Sequence, residues 1–173
     1  LIVRLPGASG GGRRHHPPVS QIDLMPTCLE LLGERPPEAI HGRSLAACLA
    51  GRETPREDPV FIEWNGADSG FGNYDNKADG VMPERLLPGV SGHDEWAAVR
   101  DPIRTVVSPD GWKLNVSPGG FGSELYRLTE DPGECRNRIG DEDAAPVILR
   151  LLDDLRRWQE RTGDEVALPA ALP

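Results

Sequence analysis

Apolar positions early in the chain follow two patterns, one typical of a strand and one typical of a helix. Residues 1–5 are mostly apolar and are followed by Pro6 and Gly7, which predicts a short strand in a sheet covered on both faces. Asp23 stands where a helix N-cap is expected, and Gly33 where that helix ends. Between them, four residues have the i, i+4, i+7, i+8 spacing of a helix side that packs against a core: Leu24, Cys28, Leu31 and Leu32.

The second half of the chain predicts an antiparallel sheet followed by a helix. Four strands are expected, over residues 59–64, 97–108, 112–116 and 124–128. Asp110 and Gly111 form a strong hairpin signal between the second and third strands. Residues 65–95 are rich in Gly, Asp and Asn and have no clear periodicity, as in a long loop. The last helix carries one apolar stripe, made of Val147, Ile148, Leu151, Leu152, Leu155 and Trp158.

Composition and charge narrow the classes of partner. Hydrophobic residues make up 38% of the 173 residues and charged residues 27%, which favours a soluble globular protein. The net charge of −9 opposes binding to a polyanion, so nucleic acid is not expected as a partner. No apolar run in the sequence is long enough to span a bilayer. The dense basic run at residues 13–16 is either a solvated loop or a contact with another part of a larger protein.

The three cysteines, Cys28, Cys48 and Cys135, form neither a CxxC pair nor a Cys/His zinc pattern. Cys28 and Cys48 lie in apolar helical patterns, so both are expected to be buried free thiols. This pattern leaves the redox compartment undetermined, and a cytoplasmic and an exported location are both possible.

Three sequence blocks, taken in order along the chain, resemble the sulfatase family of the alkaline-phosphatase superfamily. The first, residues 1–7, is similar to the strand that follows the metal-binding loop in these enzymes. The second consists of VSQIDLMPT at residues 19–27 and GRSL at residues 42–45. It is similar to the family pattern VS-x-ID-h-x-PT, in which h is a hydrophobic residue, followed further along the chain by GxSL. The third is GWKL at residues 111–114 with ELYRLTEDPGECRN at residues 124–137, which is similar to WKL … ELYDL-x-x-DP-x-E-x-x-N. The blocks resemble the C-terminal region of arylsulfatases and N-sulfoglucosamine sulfohydrolases.

The resemblance implies a hydrolase of sulfate esters or sulfamates. Such enzymes use a formylglycine nucleophile made from the Cys or Ser of a C/S-x-P-x-R motif, and a divalent cation, usually calcium, held by Asp and Asn side chains. None of the cysteines stands in such a motif, and the sequence contains no Asp-His-Gly metal loop. The chain is therefore expected to supply no catalytic residue and no metal ligand, to bind no cofactor itself, and to be inactive alone. Its expected partners are a missing N-terminal sulfatase region and, in the parent enzyme, a sulfated small molecule or glycan.

Pattern and resemblance together predict an α/β protein or, more narrowly, an α+β fragment. Residues 1–58 are expected to be the end of the sulfatase α/β domain, with the closing strand and helices of an alkaline-phosphatase-like sheet. Residues 59–163 are expected to form a C-terminal subdomain, in which a small antiparallel sheet packs on the closing helix. Residues 164–173 are expected to be a loose tail.

Three polar residues in or beside the long loop are candidate substrate contacts: Asn65, His93 and Arg104. Each could reach a sulfate or a sugar hydroxyl, and Arg104 suits this role best because a guanidinium pairs well with anionic oxygens. A loop polar group or a surface ion pair is the competing interpretation for each. Two other functions also stay open: a phosphonate or phosphodiester hydrolase of the same superfamily, and a non-catalytic binding or interaction module.

Overall fold

The chain divides into two units. Helices are the main regular elements of the described part of the first unit, Leu1–Val60. The computed structural model describes residues 1–8, 11–53, 57–66 and 100–172. A 3-10 turn at Gln21–Asp23 leads into helix α1, Leu24–Leu31, and the short helix α2 follows at Ala46–Leu49. The predicted end of α1 is confirmed, because Gly33 adopts a left-handed φ of +82° that suits a residue without a Cβ.

Asp23 holds a loop instead of capping α1. It precedes the helix as predicted, but its side chain makes no capping hydrogen bond. Its Oδ1 accepts from the backbone N–H of Arg43 at 2.9 Å. One turn later, Thr27 Oγ1 donates to the Asp23 carbonyl oxygen at 2.5 Å and accepts from the Leu45 N–H at 2.9 Å. These bonds join the start of α1 to the segment that leads into α2.

The strand predicted over residues 1–5 is not formed. These residues have no regular secondary structure, and Ile2 is 96% exposed. A strand persists only where a neighbour satisfies its backbone N–H and C=O groups, and no strand of the described residues pairs with this segment. The apolar run therefore indicated a segment suited to burial. Whether it forms a strand depends on a second strand that pairs with it, and the run itself does not specify that partner.

A four-stranded sheet and a long helix are the regular elements of the described part of the second unit, Phe61–Pro173, with the first strand beginning one residue earlier. The strands lie side by side in chain order, as β1 Val60–Glu63, β2 Arg104–Val107, β3 Trp112–Val116 and β4 Glu124–Arg127. Both β2–β3 and β3–β4 are antiparallel pairs, and helix α3, Ala145–Thr162, follows the sheet. The predicted antiparallel sheet with a C-terminal helix is confirmed. Strand β2 is shorter than predicted and begins after Pro102, which has no N–H to donate to a sheet.

A tight turn joins β2 to β3 at the position that the Asp110-Gly111 pair predicted. The Ser108 N–H donates to the Trp112 carbonyl oxygen at 2.8 Å, which closes the hairpin. Gly111 has a φ of +87°, and a Cβ at this position would lie 2.6 Å from Thr129 Cγ2. Backbone strain and this close approach both require glycine here.

The core lies between the sheet and α3. Val106, Leu114 and Leu125 face one another in register across β2, β3 and β4, and all three are fully buried. The apolar stripe of α3 packs against this row through Ile148, Leu151, Leu152 and Leu155, as the helical spacing predicted. Each such side chain contributes about 2 kcal/mol by leaving water. This core fixes the position of the strand ends.

The segment after α3 differs from the loose tail that the sequence indicated. The Arg156 Nη2 donates to the carbonyl oxygens of Pro169 and Ala170 at 3.0 and 3.1 Å. Leu168 and Leu172 pack against the core. The apolar spacing of this segment is irregular, so pattern alone did not distinguish it from an unpacked terminus. Within the described part of the chain, no helix has the length and hydropathy needed to cross a membrane.

Candidate functional site

One end of the sheet brings together two of the predicted contacts. Asn65 lies two residues after the end of β1 and is exposed, while Arg104 is the first residue of β2. The Trp64 N–H donates to the Ile103 carbonyl oxygen at 3.0 Å, so the end of β1 lies beside the start of β2. His93, the third predicted contact, lies outside the described residues.

Arg104 is buried and its guanidinium is bound by the protein. Its Nε and Nη2 donate to the two carboxylate oxygens of Asp164 at 3.0 and 2.5 Å. Its Nη1 donates to the carbonyl oxygens of Trp64 and Ile103, both at 3.1 Å. The Arg104 side chain is 2% exposed and that of Asp164 is 11% exposed. One guanidinium thus joins the end of β1, the start of β2 and the segment after α3.

The ion pair changes the acidity of Asp164. Hydrogen bonds from the Arg104 guanidinium hold the pKa of the Asp164 carboxyl below its ordinary value, and a bond from Gln159 Nε2 at 2.6 Å acts in the same direction. Sequence reasoning missed Asp164, because it lies sixty residues from its partner in a segment without periodicity. The only local signal for Asp164 is that its carboxylate comes directly after Gly163, the residue that ends the helix. The substrate contact proposed for Arg104 stays a prediction.

A second carboxylate, Asp101, holds the loop that follows β3. This loop lies at the same end of the sheet, because Val116 pairs with Arg104 in register. Asp101 is 3% exposed; it accepts hydrogen bonds from the Ser117 hydroxyl and, at 2.8 Å, from the Gly119 N–H. Ser117 Oγ in turn accepts from the Phe121 N–H at 3.0 Å. Sequence reasoning also missed this cluster. The serine and glycine residues after β3 indicated a tight loop, but nothing in the sequence indicated that Asp101 would bind it.

The residues of the C-terminal motif make structural contacts. Asn137 Oδ1 accepts from the backbone N–H groups of Leu125 and Ile139, both at 3.0 Å. The Asp131 carboxylate accepts from the N–H groups of Arg136 and Cys135 at 2.8 and 3.1 Å, and these bonds hold its pKa below the ordinary value. Asn137 joins β4 to the segment that leads towards α3, and Asp131 binds the backbone of that segment, so both motif residues have a structural role.

Trp112, the aromatic residue of the same motif, is in contact with two guanidinium groups. The Arg127 Cζ is 4.9 Å and the Arg138 Cζ 5.2 Å from the ring centroid, within the range of a cation–π contact. Arg127 stands at the position where the resembled motif has Asp. The substitution exchanges an anion for a cation that contacts the tryptophan.

The described residues do not fit a divalent cation or a formylglycine. Within them, no three His, Cys, Asp or Glu side chains converge as metal ligands would. The expectation that Cys28 is buried is wrong, because its thiol is exposed, and Cys48 is only partly buried. The reason for Cys28 is that α1 turns a different side, with Pro26 and Thr27, towards its own unit. No step of a reaction can be assigned to a metal or a nucleophile held by these residues.

In fold and motif the chain is similar to the C-terminal region of sulfatase-type hydrolases. No family model matches the chain. The chain is 28% identical over 137 residues to the Delta 4,5-hexuronate-2-O-sulfatase of Bacteroides thetaiotaomicron, in a match that covers 77% of this chain and 22% of that relative. The resemblance to a sulfatase C-terminal region is confirmed. The chain spans less than a quarter of this curated relative.

Solved structures give the same fold. A 2-O GAG sulfatase matches 86% of this chain and 27% of its own, at 24% identity and a TM-score of 0.59. The phosphonate monoester hydrolase of Agrobacterium radiobacter matches 89% of this chain and 27% of its own, at 24% identity and a TM-score of 0.60. At this identity the two likenesses establish the fold, and they do not separate the two chemistries.

Proposed function

We propose that this chain is the C-terminal part of a sulfuric ester hydrolase, in which it completes the fold and shapes the mouth of the pocket. The observation that carries the proposal is the similarity to a curated sulfatase across 77% of this chain. The motif residues support it, because Asn137 and Asp131 are used to build the turn before α3 and are not left free for chemistry.

The catalytic groups of the proposed enzyme lie in a different region. Hydrolysis of a sulfate ester requires an activated nucleophile and positive charge placed against the sulfuryl oxygens. Neither requirement is met by the described residues, whose best-placed buried cation, Arg104, is already paired with Asp164. The isolated chain is therefore expected to hydrolyse no sulfate ester. The parent enzyme would take a sulfated small molecule or glycan, with its metal and formylglycine held by the region that this chain lacks.

Asn65, His93 and Arg104 are proposed as contributors to the pocket mouth in different ways. Asn65 is exposed at the end of β1, where an amide can hydrogen-bond a sugar hydroxyl or a sulfate oxygen. An anion that reached Arg104 would have to compete with the Asp164 carboxylate, so Arg104 acts first by holding the two strand ends together. The contact proposed for His93 rests on its sequence position alone.

The Asn65 contact has a direct test in the enzyme made by joining this chain to the polypeptide encoded upstream of Leu1. Asn65→Ala should raise KM for a sulfate ester by about 10-fold to 150-fold, since a lost hydrogen bond to a charged group is worth about 1.5–3 kcal/mol. It should leave the melting temperature unchanged. Gln21→Ala, at an exposed amide in the other unit, is the matched control. An unchanged KM would remove Asn65 from the pocket.

A phosphonate monoester hydrolase is the second candidate, because the Agrobacterium radiobacter enzyme matches this fold as well as a sulfatase does. The joined protein should be assayed with 4-nitrophenyl sulfate and with a 4-nitrophenyl phosphonate monoester. The sulfatase proposal expects kcat/KM to favour the sulfate by about tenfold or more, a difference of about 1.4 kcal/mol in transition-state binding. The reverse preference would establish the second candidate. A folded protein that turned over neither ester would favour a non-catalytic interaction module.

A further inference from the structure

Helix α1 exposes an apolar side to solvent. Pro26 and Thr27 are its buried residues and face its own unit. The rest of the helix, the turn before it and its C-cap residue carry five exposed apolar residues, which we call the α1 face: Ile22, Met25, Cys28, Leu31 and Leu32. Leu32 is 78% exposed and Ile22 57% exposed. The α1 face includes three of the four positions whose helical spacing predicted a core contact, so the helix is patterned for a partner on this side.

The first unit does not supply that partner. Among its described residues, the buried side chains are limited to Pro26, Thr27 and Ala46. Of the twelve large hydrophobic residues that are exposed in the described chain, eight lie within residues 1–32, so the exposed apolar surface is concentrated in this unit. Isolated exposed leucines are ordinary on protein surfaces, but a concentrated apolar surface marks a site of interaction.

We infer that the α1 face is the docking surface for the α/β body of a sulfatase-like protein. This inference rests on the proposed function. The match covers 22% of the curated relative, so several hundred residues of that relative lie outside it. In a protein built in the same way, a surface of this remaining polypeptide has to contact the region that the chain represents. The α1 face contains no charged side chain, which suits a large, permanently buried contact and not a polar or anionic ligand. A second copy of this chain is disfavoured as the occupant, because each copy carries a net charge of −9.

The test uses this chain with the polypeptide encoded immediately upstream of Leu1, produced as a separate protein, and measures their affinity by titration calorimetry. The double variant Met25→Lys and Leu32→Glu places two charges on the α1 face. It should weaken binding about 100-fold or more, because central apolar contacts dominate the energy of an interface. Leu149→Glu is the matched control, since Leu149 is a 56% exposed leucine on α3 in the other unit. It should change the affinity less than about twofold.

Both variant sites are exposed in this chain, so the circular dichroism spectrum and melting temperature of the isolated double variant should equal those of the unmodified chain. An upstream polypeptide that does not exist, does not bind, or binds the double variant as tightly as the unmodified chain would overturn the inference. So would a dimer of this chain alone that Leu32→Glu dissociates in sedimentation, because the occupant would then be a second copy.

The readouts separate this inference from the proposed function. A complex that forms through the α1 face but hydrolyses neither a sulfate nor a phosphonate ester keeps the docking surface and removes the proposed function. A complex that hydrolyses sulfate esters, and whose affinity is unchanged by Met25→Lys and Leu32→Glu, keeps the function and removes the docking surface.

Discussion

Replacing Arg104 with alanine should destabilise the second unit strongly. The substitution leaves the Asp164 carboxylate, which is 11% exposed, without the cation that binds both of its oxygens. Breaking a buried pair by removing one partner costs about 3–5 kcal/mol. The Asp164 carboxylate keeps its hydrogen bond from Gln159 Nε2, so the lower end of that range, about 3 kcal/mol, is expected here. The two carbonyl oxygens that Nη1 binds also lose a donor.

Equilibrium unfolding in urea measures this cost, with the fluorescence of Trp112 and Trp158 reporting on the second unit. The double variant Arg104→Met and Asp164→Leu removes both charges together. It should recover most of the lost stability, because no unpaired charge is left behind. A loss of less than about 1 kcal/mol in Arg104→Ala would refute the reasoning, since that is the value of a solvent-exposed pair. It would also favour the proposal that Arg104 is available to a substrate.

Three further predictions concern the same unit. Asn137→Ala removes an acceptor for two backbone N–H groups and should lower the free energy of unfolding by about 2 kcal/mol, measured by urea titration. Leu125→Ala opens a cavity in the fully buried row of the sheet and should cost about 2–5 kcal/mol, while the conservative Leu125→Met should cost less than about 1.5 kcal/mol. The lowered pKa of Asp164 contributes stability that is fully present above the ordinary aspartate pKa near 4 and is lost as the pH falls through the lowered folded-state value. The urea midpoint should therefore fall on acidification, and Asp164→Asn, which cannot titrate, should reduce the slope of that fall.

The sequence predicted those elements whose signals are local. The stripe of α3 places Ile148, Leu151, Leu152 and Leu155 on one side by spacing alone, and the same side is buried. The hairpin follows from Asp110 and Gly111, since the turn needs a left-handed residue at Gly111.

Contacts between distant residues were not predictable from pattern. Arg104 was recognised as a residue suited to anionic oxygens, but the anion it binds, Asp164, is sixty positions away. Asp101 likewise binds Ser117 and Gly119 through a tertiary contact that no spacing rule describes. The predicted strand at residues 1–5 did not form for a related reason, because a strand depends on a partner that its own sequence does not specify.

The α1 face shows how a wrong burial prediction can be informative. Helical spacing correctly identified an apolar side of α1 through Cys28, Leu31 and Leu32, and the structure leaves that side exposed. The periodicity of a helix records which side it is adapted to bury, whether or not the covering surface belongs to the same chain.

Hydrolysis of 4-nitrophenyl sulfate by the purified chain, compared with the chain joined to the polypeptide encoded upstream of it, tests the central claim most directly. The account predicts no turnover above the uncatalysed rate for the chain alone and clear turnover for the joined protein. Ester cleavage by the chain alone that persists through purification to homogeneity would contradict it, because these residues would then contain a nucleophile and a source of positive charge that the account assigns elsewhere.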